Sequence, residues 1–229
     1  MTVRELSKDQ PESFTLNQEN IFLSKKIIKK YPNGYQASAV IPLLDLVQRQ
    51  EGWVSKPAIE YIASLLDMPV MRVLEVATFY TMFNLHPIGK THIQICTNLP
   101  CLLRGSDEIV KCCKDKLDID LGETSNDKMF TLNEVECAGA CVNAPIVAID
   151  DDYYEDMTYE LMSNLIDKLK HGEKIEIGSM IGRKGSSPDG QRKTLTQDPH
   201  NLFIKQDLTR AKIDYEALKQ QQANSKGNK

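Results

Sequence analysis

An α/β fold preceded by a small all-α helical subdomain is what this sequence predicts, and three observations carry that expectation. Between residues 19 and 87, apolar residues recur at i, i+3, i+4 and i+7, the stripe of amphipathic helices. Between 88 and 177, short alternating runs interleave with single helical segments in the order strand–helix–strand–strand–helix. From 178 to 229 the pattern dissolves into a Gly/Ser/Pro-rich and then polar extended C-terminal tail. A chain of 229 residues has room for one large domain or two small ones.

Residues 1–18 are polar and aperiodic, and are expected to be a flexible N-terminal arm, mobile or laid on a partner. A short helix is predicted over about 18–30, with Leu23, Ile27 and Ile28 on one face. Three more follow, striped by Val40, Leu43, Leu44 and Val47, by Ile59, Ile62, Ala63 and Leu66, and by Val70, Val73, Leu74 and Ala77. Gly52 ends the first of these, and Pro57 and Pro69 sit where a first helical turn tolerates proline. Short connections make this a compact antiparallel bundle, closed by Pro87-Ile-Gly89.

The pattern then changes period. Ile93 and Ile95 alternate with His92 and Gln94, a strand running into Cys96. Ser106, Asp107 and Glu108 read as a capped helix start, with Val110, Cys113 and Leu117 buried. Residues 128–136 read as a strand ending at Cys137, and Ile146–Ile149 as another that turns at Asp150-Asp-Asp152 into a hairpin through Tyr153 and Tyr154. Thr158 caps a last helix, striped by Met162, Leu165, Ile166 and Leu169 and closed by Gly172. A weak helical stretch follows around 206–221.

Composition excludes several functions. A net charge of −4 without a basic–aromatic groove argues against nucleic acid. No apolar run approaches the ~20 residues that cross a bilayer, so direct membrane insertion is not expected. The charge is uneven: from Arg183 onward ten basic residues face five acidic ones, and the rest of the chain carries the acidic excess. The first ten residues lack the apolar core of a signal peptide and contain acids unlike a transit sequence, so no signal or transit peptide is expected. Neither GxGxxG nor a P-loop occurs, so neither NADH nor FMN is expected to bind here. No catalytic constellation is evident, and the four histidines have no paired spacing.

Four cysteines carry the chemistry. Cys96 and Cys101 bracket four residues, and Cys137 and Cys141 bracket Ala-Gly-Ala, giving two loops with two sulfurs each. Four thiolates from two loops suit an iron–sulfur cluster or a structural zinc. Zinc knuckles mostly use C-x2-C, whereas gaps of four and three open wider loops that suit a two-iron cluster, with each pair gripping one iron. Ala138, Gly139 and Ala140 are small enough for backbone N–H groups to approach the sulfurs. This order places a [2Fe–2S] electron carrier first, a zinc-stapled interaction scaffold second and two disulfides third. Cys112 and Cys113 are adjacent on a helix, so their side chains diverge by about 100° and cannot reach one metal.

Several stretches together resemble one family. They are Gly52-Trp-Val, Arg72–Phe83 (RVLEVATFYTMF), Cys96 with Cys101-Leu-Leu-Arg-Gly, Glu136–Pro145 (ECAGACVNAP) and Tyr153-Tyr-Glu-Asp156, followed by Gly182–Gly190 and Leu195-Thr196. The family is the thioredoxin-like [2Fe–2S] ferredoxin component, the E subunit, of NADH:quinone oxidoreductase, respiratory complex I. The resemblance implies that Cys96, Cys101, Cys137 and Cys141 hold one binuclear cluster in a thioredoxin-like domain. It implies docking on the flavin/NADH-binding subunit, which would carry FMN and NADH, within the peripheral arm on the cytoplasmic side of the bacterial inner membrane. The same motifs are shared by diaphorase subunits of NAD-linked hydrogenases and formate dehydrogenases.

Overall fold

The computed structural model describes residues 4–186. Those up to Met180 belong to one compact unit, separate from the unit that begins at Ile181. Within the first unit the helical and sheet portions are built around separate apolar cores.

The helical portion consists of α1 (Gln18–Ile28), α2 (Val40–Glu51), α3 (Lys56–Leu66) and α4 (Val70–Phe79). Their ends follow local chemistry. Asn17 and Ser55 accept hydrogen bonds from Asn20 and Ala58 amides at α1 and α3, and Pro69 stands just before α4 as its cap. The striped residues of α2 and α3 are buried together with Val54, Phe83 and Leu85. Fully burying each aliphatic side chain of this kind contributes about 1.5–3 kcal/mol before entropy is counted.

The N-terminal arm departs from expectation. Residues 4–17 form neither helix nor strand, yet they are tied along the bundle. Ser7 N–H donates to the Leu85 carbonyl at 3.0 Å, Lys56 N–H to Gln10 Oε1 at 2.7 Å, and Gln50 Nε2 to the Thr15 carbonyl at 3.0 Å. Leu16 is buried in the helical core and Phe14 meets Tyr61 edge-on at 5.5 Å. An extended segment that buries isolated residues has no period, so its docking is invisible to a search for stripes.

The second portion is a sheet of order β2-β3-β1-β4-β5-β6. Its strands are β1 (Thr91–Cys96), β2 (Glu123–Thr124), β3 (Phe130–Val135), β4 (Val147–Ile149), β5 (Asp152–Glu155) and β6 (Gly178–Ser179). β1 runs parallel to β3, with Cys96 opposite Val135, and antiparallel to β4. The crossover between β1 and β3 carries α5 (Leu99–Leu103) and α6 (Ser106–Leu117), and α7 (Tyr159–His171) follows β5. Gly89 enters β1 so closely that a Cβ there would stand 2.9 Å from the Phe130 backbone, which only glycine permits.

Two details of α6 differ from the sequence reading. α6 starts after Gly105, with Ser106 already inside and fully buried. Its buried face is Ile109, Cys112 and Cys113, one position round from the expected stripe, so Cys112 belongs to the core. The extension quoted around Gly182–Gly190 runs past the described residues, and the helical stretch around 206–221 lies outside them.

His92 sits in β1, 5% exposed, and its Nε2 lies 3.0 Å from the Asn133 amide nitrogen of β3. Asn133 donates to that nitrogen in the neutral ring, and burial lowers the His92 pKa to about 4. The unfolded chain therefore takes up this proton first. His92 contributes stability that is present above about pH 6.5 and is lost as pH falls toward 4, on the order of 3 kcal/mol. Urea melts at pH 7 and 4.5 should show this loss in the native chain and a smaller one in His92→Gln. Equal losses in both would refute the assignment.

Candidate metal centre

Both cysteine loops leave the same end of the sheet because β1 and β3 are parallel and in register there. Cys96 is the last residue of β1, and its N–H donates to the Ile146 carbonyl at 3.1 Å. Asn98 caps α5 through the Leu99 amide at 2.9 Å, and this short helix, which the sequence reading treated as loop, carries Cys101. The signal for it is Asn98 followed by Pro100 at a first-turn position. Cys137 follows β3 by two residues, and Cys141 opens a short 3-10 turn, Cys141–Asn143. Between them Gly139 takes φ +76°, the left-handed conformation its lack of a side chain allows.

The four sulfurs stand as an inner and an outer pair. Cys96 and Cys101 are 2% and 1% exposed, in a small apolar shell with Ala144 and Ile146. Val135, Ala138 and Ala140 pack onto that shell, so the second loop closes over the first. Cys137 and Cys141 are exposed, with Sγ atoms 3.6 Å apart. Two sulfurs bound tetrahedrally to one ion at ~2.3 Å would lie about 3.8 Å apart, so this pair fits a shared metal. Among the described residues no group of three or more His, Cys, Asp or Glu converges on a single ion position.

The electrostatics point the same way. Burial, then the neighbouring Cys96 thiol, pushes the Cys101 pKa up to about 11. The hydrogen bond with Cys137, then desolvation, raises the Cys141 thiol above its ordinary range. Cys141 lies within electrostatic reach of both inner cysteines, so the two pairs feel one another's charge. Thiols that resist ionisation through burial and neighbouring sulfurs are donors a bound cation would deprotonate together. All four sequence-predicted residues are thus brought to one end of the sheet. Cys112 and Cys113 are not, and they lie in the sheet-side core, where burial raises both thiols.

One contact escaped the sequence reading. Tyr153 Oη donates to the Ala138 carbonyl at 3.0 Å, from β5 to the middle of the outer loop. The only hint was alternation in the hairpin, which puts Tyr153 on the face opposite the buried Tyr154.

The family model for thioredoxin-like [2Fe-2S] ferredoxin matches residues 24–170. The chain belongs to this family. A curated relative in Rickettsia bellii (strain RML369-C), the E subunit of NADH-quinone oxidoreductase, is 59% identical over 69% of this chain and 96% of its own. NADH dehydrogenase [ubiquinone] flavoprotein 2, mitochondrial, of Dictyostelium discoideum is 47% identical over 85% of this chain and 79% of its own. Among solved structures, an NAD+-reducing [NiFe]-hydrogenase in the H2-reduced state aligns with TM-score 0.51 at 17% identity. That match covers 57% of this chain and 22% of the hydrogenase chain, and shows a shared fold. For a family member, the ferredoxin fold brings a [2Fe–2S] cluster as its cofactor.

The difference in burial makes a prediction for the metal-free protein. At pH 8 and without denaturant, maleimide should modify Cys137 and Cys141 well ahead of Cys96, Cys101, Cys112 and Cys113, as read by peptide mass spectrometry. Equal labelling of all six would contradict the sealed inner pair.

Proposed function

We propose that Cys96, Cys101, Cys137 and Cys141 bind one [2Fe–2S] cluster, the inner pair gripping one iron and the outer pair the other. The arrangement of sulfurs as two pairs carries this reading. A closed zinc site asks four ligands to meet at one ion, whereas each iron of a binuclear cluster takes two protein sulfurs and completes its shell with bridging sulfides. When bound, such a cluster stores and passes on one electron at a time. The chain's own residues supply the setting. Ala144, Ile146 and Val135 keep water from the inner sulfurs, and the alanines of the outer loop leave its backbone free to approach them. An acidic body disfavours added negative charge and so holds the potential low.

The chain is an iron–sulfur electron-transfer subunit of NADH:quinone oxidoreductase, the function its 59% and 47% identical relatives are named for. These relatives also favour complex I over the hydrogenase and formate dehydrogenase alternatives, since the hydrogenase likeness reaches 17% identity. The electron partner we propose is the flavin- and NADH-binding subunit, with FMN and NADH held there, in the peripheral arm on the cytoplasmic side of the inner membrane. Apolar side chains left outside support docking. Leu103 and Val142 stand exposed beside the two cysteine loops, and Phe79, at 76% exposure, and Met82 stand exposed at the end of the bundle. Phe83, in the same Arg72–Phe83 stretch, is instead fully buried. No helix among the described residues is long and apolar enough to cross a membrane.

Replacing Cys96 and Cys137 together by Ser takes one sulfur from each pair and should abolish cluster assembly, read as iron per chain and visible absorption. Cys112→Ser and Cys113→Ser should keep iron near normal, with Cys113→Ser costing about 1–3 kcal/mol of stability for its buried hydroxyl. Full iron in the double variant would overturn the ligand assignment.

Flavin-free isolated chain should oxidise no NADH, and should co-purify with a flavoprotein when expressed in its own complex. NADH oxidation by the flavin-free chain would contradict the reading.

A further inference from the structure

We infer that Tyr153 is a positioning residue for the outer cysteine pair, its hydroxyl locking the Ala138–Gly139 peptide in one orientation. The inference rests on the ligation proposed above and concerns what holds that loop still. The segment Cys137–Cys141 forms no strand, and Cys137, Gly139 and Cys141 are exposed. Gly139, at φ +76°, has nothing within 4 Å of where a Cβ would stand, so neither a side chain of its own nor crowding on that side restricts its torsions. A loop with that freedom would let its ligand sulfurs wander.

The restraint comes from one strand. In β5, Tyr154 points into the core while Tyr153, paired with Ala148 of β4, projects to the opposite face and donates to the Ala138 carbonyl at 3.0 Å. A peptide unit is planar and trans, so fixing the Ala138 carbonyl also fixes the Gly139 N–H, which points the opposite way. The same stretch holds the loop's far end. Asn143 Nδ2 donates to the Glu155 carboxylate, and Asp156 N–H donates to the Asn143 carbonyl at 2.8 Å. The hairpin therefore grips the outer loop in its middle and just beyond Cys141. Since β5 is zipped to β4, and β4 to the strand that ends in Cys96, the clamp refers the outer pair to the inner one.

The decisive variant is Tyr153→Phe, which keeps the ring and removes only the donor, with Tyr154→Phe as a hydroxyl-loss control in the same hairpin. Iron per native chain is measured first, because an iron-free native chain would sink the ligand assignment and not this inference. With Tyr153→Phe we expect an unchanged melting temperature. Iron release to a ferrous chelator should be about fivefold faster, the factor a typical net hydrogen bond represents. The EPR signal of the dithionite-reduced protein should broaden as the loop samples more than one arrangement. In metal-free protein, amide hydrogen exchange across residues 138–141 should accelerate in Tyr153→Phe alone. Unchanged loop exchange overturns the inference whatever the iron content. So do unchanged release and EPR in iron-loaded protein, equal effects in Tyr154→Phe, or a collapse of the melting transition in Tyr153→Phe, which would make the residue merely structural.

Discussion

The parallel pairing of β1 with β3 is the constraint on which the proposed metal centre depends. Parallel strands in register, with Cys96 opposite Val135, finish at the same end of the sheet, so the segments that follow them are neighbours however far apart they lie in sequence. An antiparallel pairing of the same two strands would send Cys96 and Cys137 to opposite ends. The pairing in turn requires a crossover long enough to carry the chain back, and α5 and α6 provide it. α6 buries Ile109, Cys112 and Cys113 against the sheet core that α7 completes with Met162, Leu165 and Ile166. The helices flanking the sheet are the condition under which the two cysteine loops meet.

Once the loops are adjacent, their environments differ. The inner sulfurs lie in an apolar shell of the loops' own small residues, and the outer sulfurs reach solvent. An electron-transfer centre needs both properties. Sealed ligands hold the cofactor in a low-dielectric setting where nearby charges and dipoles act strongly, and an accessible edge brings it near a partner's cofactor. The exposed Leu103 and Val142 beside the loops, and Phe79 and Met82 on the bundle, are apolar surface that a protein partner would bury. The bundle itself is tied to the hairpin by Arg49 of α2, which pairs with Asp151 between β4 and β5 at 2.6 Å. Both groups are solvent-exposed, so the pair sets geometry more than it adds stability.

Much of this was legible in the residues themselves. The stripes of α2 and α3, the proline and glycine positions at helix ends, and the Thr158 cap with Gly172 at the close of α7 are local patterns and appear where they were read, whereas Val70 of the α4 stripe stands exposed. Short elements were not legible. α5, β2 and β6 are two to five residues long, too short for any period to show, and they exist because longer neighbours present them with hydrogen-bonding partners. The rotation of the α6 face toward Cys112 is likewise a matter of how the helix lies on the sheet. Either face of a short helix bearing Ile109, Val110, Cys112 and Cys113 offers a plausible stripe.

By itself, the sequence singled out the residues proposed to carry the chemistry. Cysteine is the one side chain here with soft thiolate chemistry, and its spacing in two tight pairs separates four of the six from a helical pair whose geometry forbids sharing a metal. Only the tertiary structure decided which pair is buried and which is exposed, and that Tyr153 reaches the outer loop. It also decided that the N-terminal arm lies along the bundle. The physical reason is that local patterns report periodicity and backbone preference, properties of a few consecutive residues. Burial, and hydrogen bonds across 15 or more residues, depend on which surfaces the sheet register and helix packing bring face to face.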